Sequence, residues 1–376
     1  VWERGLRTMA LDLSGFRDPK LGRELIECIN ELAPVAVAKN GGEINLMEVC
    51  GTHTVTIARN GFRDILPDGV NLISGPGCPV CVTANVDIDT VIAIARIPGV
   101  IVTTFGDMTR VPGSTSSLNK EKAAGADIRI VYSPLDALKV ASENPDNQVV
   151  FVGVGFETTT PLIAATIKRA RAMGLANFSV VAIHKTMPNT LDVLVNDDEV
   201  KLTALILPGH VSTIIGIEPY RFLATEYGVP GVVTGFEPVD VLQGIAMLLR
   251  QLAEGRHEIE NGYTRGVRDE GNPAAVVAIE EVFEPCDASW RGLGMIPASG
   301  YALREEFSDF DAVKKLQPQV EPTIEPKGCR CGDVLRGIMT PKDCPLFNTA
   351  CSPEHPVGPC MVSSEGSCAA FYKYLR

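Results

Sequence analysis

Six of the chain's eleven cysteines lie in its last 48 residues, at Cys329, Cys331, Cys344, Cys351, Cys360 and Cys368. The segment around them, GCRCGDVLRGIMTPKDCPLFNTACSPEHPVGPCMVSSEGSCAAFYKYLR, is punctuated by Gly, Pro and Ser and lacks the apolar periodicity of a packed core. Thiol chemistry has to hold it together. Disulfides are disfavoured: no secretory signal is read ahead of the segment, and the preceding residues look like an intracellular α/β protein. Zinc is a rival, but zinc ribbons and fingers draw thiolates from two tight CxxC-like knuckles. Here the spacing is wide, Cys329-x14-Cys344-x6-Cys351-x16-Cys368, with Cys331 and Cys360 as alternates. Four thiolates drawn from separate loops suit a [4Fe-4S] cubane, which takes soft sulfur donors one at a time.

At 376 residues and 45% hydrophobic, the chain is long enough for two domains and a small third unit. Its longest apolar stretch, VIAIARIPGVIVTTF, is broken by Arg96 and Pro98 and reads as helix, turn and strand, so no membrane span is expected. A formal net charge of −12 leaves no basic face for a phosphate backbone, which argues against nucleic acid and for an acidic cytoplasmic protein.

After a helical opening around LGRELIECINELAPVAVAKN, short β-branched runs recur: INLMEV, VNLISG, VIVTTF, IRIVYS, VVFVGVGF, FSVVAIH, ALILPG and GVVTGF. Helix-like stretches separate them, so the expected class is α/β with parallel sheets. EVCGTH answers VGFETT, FGD answers PGH, and SPLDAL answers EPVDVL, each pair roughly one hundred residues apart. This predicts two similar α/β domains facing across a cleft. The expected divisions are an N-terminal helical segment at 1–40, domain I at 41–145, domain II at 146–245, and a helical connector with an irregular C-terminal iron–sulfur domain at 246–376.

Ligands of such sheets bind beyond the carboxyl ends of the strands, and the chemically loaded motifs fall there. Cys50, in CGTH, sits at a strand-to-helix junction whose N–H groups favour a thiolate, and His53 one turn later is placed to share a metal or a proton with it. Cys78 and Cys81, in GPGCPVC, form a CxxC suited to a dithiol–disulfide couple, with a zinc knuckle as the rival. Gly155, Phe156, Glu157, Thr158 and Thr159 (GFETT) and His210 (GHVS) are expected to line the second half of the cleft, with His184-Lys185 past another strand. Cys28 and Cys286 read as structural.

Together CGTH, GPGCPVC, GFETTTP, LPGHVS and the C-terminal cysteine pattern resemble the HypD family of hydrogenase maturation proteins, across roughly residues 20 to 376. The resemblance implies a metallocentre-assembly scaffold rather than conventional turnover. With the chaperone HypC, such a scaffold holds iron while cyanide from HypE and carbon monoxide are attached for [NiFe]-hydrogenase. It further implies Cys50 as the iron-holding thiolate with His53 nearby, Cys78 and Cys81 as redox thiols, and a [4Fe-4S] cluster on Cys329, Cys344, Cys351 and Cys368. The competing reading from another class is a cluster-dependent dithiol reductase acting on a protein disulfide, which needs neither Cys50 nor His53.

Overall fold

A computed structural model describes residues 14–375; residues 1–13 of the expected N-terminal segment lie outside the described residues. The opening helix, Pro19–Asn40, is capped at both ends by local chemistry. Asp18 accepts the Lys20 N–H at 2.8 Å, Pro19 supplies a helical φ, and Gly41 closes the helix in the left-handed region at φ 75°. Its buried Ile29, Ala33 and Ala36 pack with Leu242, Ile245 and Leu249 of the long helix Pro238–Glu254.

Eleven strands follow in chain order among the described residues: β1 (Ile44–Glu48), β2 (Val70–Ser74), β3 (Val100–Thr104), β4 (Asp127–Ile130), β5 (Gln148–Gly153), β6 (Phe178–Ala182), β7 (Ala204–Pro208), β8 (Gly231–Thr234), β9 (Ile259–Asn261), β10 (Phe283–Trp290) and β11 (Gly294–Leu303). The first sheet runs β2-β1-β7-β8-β9 and the second β4-β3-β5-β6. Both are parallel throughout. Every residue of β3, β7 and β8 is buried, as expected for parallel strands covered on both faces. Among the described residues no helix is long and apolar enough to cross a membrane.

The two sheets do not divide the chain at residue 145. β3 and β4 pair with β5 and β6, while β1 and β2 pair with β7 and β8, so that expected boundary runs through the second sheet. The internal repeat accounts for the arrangement. Matching β1, β2, β7 and β8 to β5, β6, β3 and β4 turns the order β2-β1-β7-β8 into β6-β5-β3-β4, the order observed. Each sheet thus joins the first strand pair of one repeat to the second pair of the other. Fully apolar parallel strands from either repeat fill the same place, so the sequence reveals the duplication but not the exchange.

The region after residue 246 is also more regular than expected. β9 extends the first sheet, and β10 and β11 form an antiparallel hairpin with a register shift between Cys286 and Ala288. Pro285 and Pro297 mask this hairpin in the sequence; a two-stranded ribbon has only edges, where proline is tolerated. Beyond it, short helices at Cys331–Leu335, Pro359–Val362 and Ser367–Tyr374 alternate with turns.

Candidate functional site

In the first sheet β1 leads on to β2 on one side and β7 to β8 on the other, so the strand order reverses between β1 and β7. A crevice for ligands opens at such a reversal. The register aligns Glu48 with Ser74 and Ile206, and Pro208 with Thr234, which brings the loops after β1, β2, β7 and β8 to one edge. Cys50, Cys78, His210 and Phe236 stand on those loops. The loops after β1 and β2 touch: Gly51 N–H donates to Gly77 O at 3.0 Å, and a Cβ on Gly77 would lie 2.1 Å from the Cys50 nitrogen. Only glycine permits that approach.

Cys50 caps the helix Gly51–Arg59 in extended geometry. Contrary to the sequence expectation of a thiolate, its pKa is pushed up to about 11, by burial first and then by the Glu365 carboxylate. The N–H groups of Thr52 and His53 pull the other way and lose. The resting group is a thiol, and any metal bound there must displace its proton.

His53 Nε2 lies 2.9 Å from Gly235 O and 2.8 Å from Thr234 Oγ1. A carbonyl only accepts, so the ring proton belongs on Nε2 and the Nδ1 lone pair is left free. Nδ1 is buried without a hydrogen-bond partner, and burial lowers the ring pKa to about 4. His53 is therefore a neutral imidazole with one unused donor nitrogen. Phe236 stacks on His53 at 4.8 Å and on His210 at 3.8 Å. His210 thus belongs to the first sheet with CGTH, not to the opposite half, because β7 is exchanged into that sheet.

Cys78 and Cys81 are joined as a disulfide with their Cα atoms 5.2 Å apart, and Cys81 N–H points at Cys78 Sγ, 3.2 Å away. The hairpin end closes over them. Arg291 N–H donates to Val82 O at 2.9 Å and its guanidinium Nε to Thr83 O at 3.1 Å, while Trp290 stacks on Phe156 at 6.1 Å.

All six C-terminal thiols line one cavity with Val334, Leu346, Phe347 and Met361. Cys331 stands 2.7 Å from Cys360, Sγ to Sγ, and also hydrogen-bonds Cys329, while Cys360 reaches Cys368, so these thiols form one connected group. Among the described residues no three His, Cys, Asp or Glu side chains converge on a single ion. Several soft thiols around one cavity are the donor chemistry an iron–sulfur cluster takes, so the residues present fit that group. Cys78, Cys81, Cys331, Cys351, Cys360 and Cys368 share a single buried core with Phe156 and Trp290.

GFETT reaches the thiol core through Phe156 and is itself built on a crowded turn. Gly155 has φ 154°, and a Cβ there would lie 1.6 Å from Thr159 Oγ1. Glu157 Oε1 accepts the Met187 N–H at 2.9 Å; Oε2 is buried without a hydrogen-bond partner. Thr159 donates to Phe156 O at 3.1 Å, and Thr158 is exposed. His184 is buried with neither ring nitrogen hydrogen-bonded, and Lys185 pairs with Asp87 at 3.0 Å.

Burial raises Glu157 to about 7. A carboxyl whose folded pKa exceeds its unfolded one contributes stability below the unfolded pKa and loses it as pH rises through the folded value. Glu157→Gln should therefore gain on the wild type between about pH 4.5 and 7, by about 3 kcal/mol at the upper end. Denaturant melts of both proteins at several pH values measure that difference; the depressed histidines His53 and His184 cancel in it.

Glu365 and Phe236 escaped the sequence reading. Thr52 Oγ1 donates to Glu365 Oε1 at 2.8 Å, which brings the C-terminal segment onto the Cys50 loop. The available signal was an acid standing between Cys360 and Cys368. Phe236, in a strand-end turn, carried none.

The protein is an α/β protein in which strand-end thiols and C-terminal cysteines share one buried core. The HypD family model, described as "Hydrogenase formation hypA family", matches residues 21–375. Hydrogenase maturation factor HypD of Rhodobacter capsulatus is 48% identical over 366 residues, covering 96% of this chain and 97% of that protein. The protein of the same name from Escherichia coli K12 is 45% identical over 364 residues, covering 96% and 97%. The chain belongs to the HypD family.

Proposed function

We propose that this chain is a cytoplasmic hydrogenase maturation factor, the scaffold on which iron receives cyanide and carbon monoxide for [NiFe]-hydrogenase. A HypC-like chaperone and a HypE-like cyanide donor are its partners. The observation that carries the reading is the contact of two thiol loops, Cys50 against Gly77-Cys78, with a solitary thiol beside a paired one. The iron is cargo. A low-spin Fe(II) centre with strong-field ligands favours a soft anchor, and Cys50 has no cysteine partner to sequester it. The free Nδ1 of His53 is a second donor in the same loop.

Cys78 and Cys81 alternate between dithiol and disulfide in this reading, and Cys331 and Cys360 are alternates for the cluster. Cys329, Cys344, Cys351 and Cys368 would hold a [4Fe-4S] cluster, which supplies one-electron redox chemistry when bound. What the chain's own residues do is exclude water. Trp290, Phe156 and Met361 surround the thiols, so that a pair once oxidised is shielded from exchange with solvent thiols.

Anaerobically purified protein should be brown and carry about four iron and four sulfide per chain. Stoichiometric zinc without iron would defeat the cluster assignment. Cyanide and carbonyl stretches in the infrared spectrum of the partner-bound protein separate the scaffold from a plain dithiol reductase, which would show none.

A further inference from the structure

Cys50 is only 8% exposed, and the backbone next to it is packed against the far end of the chain. A Cβ on Gly51 would lie 2.6 Å from Glu365 Cβ and 2.7 Å from Glu365 O. The turn Ser363–Gly366 therefore rests directly on the backbone next to Cys50. It is held from three sides: Thr52 donates to the Glu365 carboxylate at 2.8 Å, Arg110 Nη2 to Val362 O at 2.8 Å, and the Arg63 guanidinium lies 5.0 Å over the Phe371 ring.

The turn is unlike a permanent lid. Ser364 is exposed and Glu365 half-buried, so its tip is polar, and the tip's hold on the Cys50 loop is a single side-chain hydrogen bond. A surface groove of about 810 Å³ reaches Thr52, Arg110, Glu365 and Tyr372, so solvent already stands beside the latch. The base of the turn, by contrast, is set by thiols. Cys360 precedes it and sits 2.7 Å from Cys331; Cys368 follows it and lines the C-terminal thiol cavity. Gly366 packs so closely on Cys360 that a Cβ would lie 2.2 Å from its carbonyl oxygen.

We infer that the turn Ser363–Gly366 is a gate over Cys50, latched by Thr52 and Glu365 and seated by the flanking Cys360 and Cys368. Access to the iron anchor is then controlled by the state of the C-terminal thiols. The inference deepens the proposed function and rests on it only for the identity of what enters. It needs no iron to be tested.

The rate of N-ethylmaleimide addition to each cysteine of the intact, anaerobic protein, read by peptide mass spectrometry, reports access thiol by thiol. Thr52→Val removes the latch without changing charge and should raise the Cys50 rate about tenfold, the effect of losing one charge-assisted hydrogen bond; the lost Thr52 hydroxyl also favoured the Cys50 thiolate, so its removal works against the rise and cannot mimic opening. Cys360→Ser should raise it as well. The partly exposed Cys28 and Cys286 are internal references whose rates stay fixed while the fold is intact. An unchanged Cys50 rate in Thr52→Val overturns the gate, and an unchanged rate in Cys360→Ser overturns its seating by thiols. Should Thr52→Val also accelerate Cys286, Arg110→Ala, which frees the turn at Val362 O without removing a group that acts on the Cys50 thiol, is the replacement variant, with the same outcomes. Absence of cyanide and carbonyl bands would defeat the scaffold reading but leave these rates untouched.

Discussion

Cys50→Ser is expected to remove the cyanide and carbonyl infrared bands of the partner-bound protein entirely while leaving the fold in place. Cys50 occupies the cap position of the helix Gly51–Arg59, and serine is a better cap than cysteine. The N–H groups of Thr52 and His53 that draw on the thiol are available to the serine oxygen. Stability should therefore change by no more than about 1 kcal/mol. The metal chemistry changes far more, because a hard hydroxyl replaces the soft sulfur that low-spin iron requires. Undiminished bands in the variant would mean that another residue holds the iron. Loss of bands together with a collapsed melting transition would mean only that the loop had failed.

The same residue sets a pH dependence. A thiol at about 11 releases its proton when it takes up a metal, so apparent affinity should rise with pH across the neutral range. The sequence suggested the opposite starting point, a ready thiolate at a helix terminus. Helix N–H groups are visible in a sequence pattern, whereas burial is not, and the Glu365 carboxylate that adds to it stands more than three hundred positions away.

That difference between local and long-range information runs through the molecule. The alternation of β-branched runs and helices gave the parallel α/β class, and strand-end position picked out Cys50, Cys78, Cys81 and His210. Sheet membership was beyond its reach. β3 and β7 are both buried throughout, so either could complete either sheet, and the exchange moves His210 beside Cys50 instead of opposite it. Spacing singled out the C-terminal cysteines and set Cys331 and Cys360 apart as alternates; that all six line one cavity is information only the fold supplies. GFETT was conspicuous because its Gly155 and Glu157 hold a crowded turn, a demand as specific as that of a ligand.

Arg63→Ala should be the most destabilising single change behind the site. Glu48, the last residue of β1 and two before Cys50, is fully buried. Its Oε1 accepts from Arg63 Nη2 at 2.8 Å and from Ser74 Oγ at 2.7 Å, while Oε2 is buried without a hydrogen-bond partner. Burial already raises the Glu48 pKa, and the Arg63 charge is the largest influence opposing it. Removing Arg63 strands a buried carboxylate, at a cost of about 3–5 kcal/mol. It also releases Phe371, three residues after Cys368, from the guanidinium above it. Because the folded pKa of Glu48 would climb further, the loss should deepen as pH rises and shrink where the carboxyl is protonated. The double variant Glu48→Gln, Arg63→Ala should recover much of the stability, since no charge is then left unpaired. Denaturant melts of the two single variants, the double variant and the wild type at pH 6 and pH 8 measure the coupling directly. A double variant no more stable than Arg63→Ala would show that Arg63 acts through Phe371 and the C-terminal helix, not through the carboxylate behind Cys50.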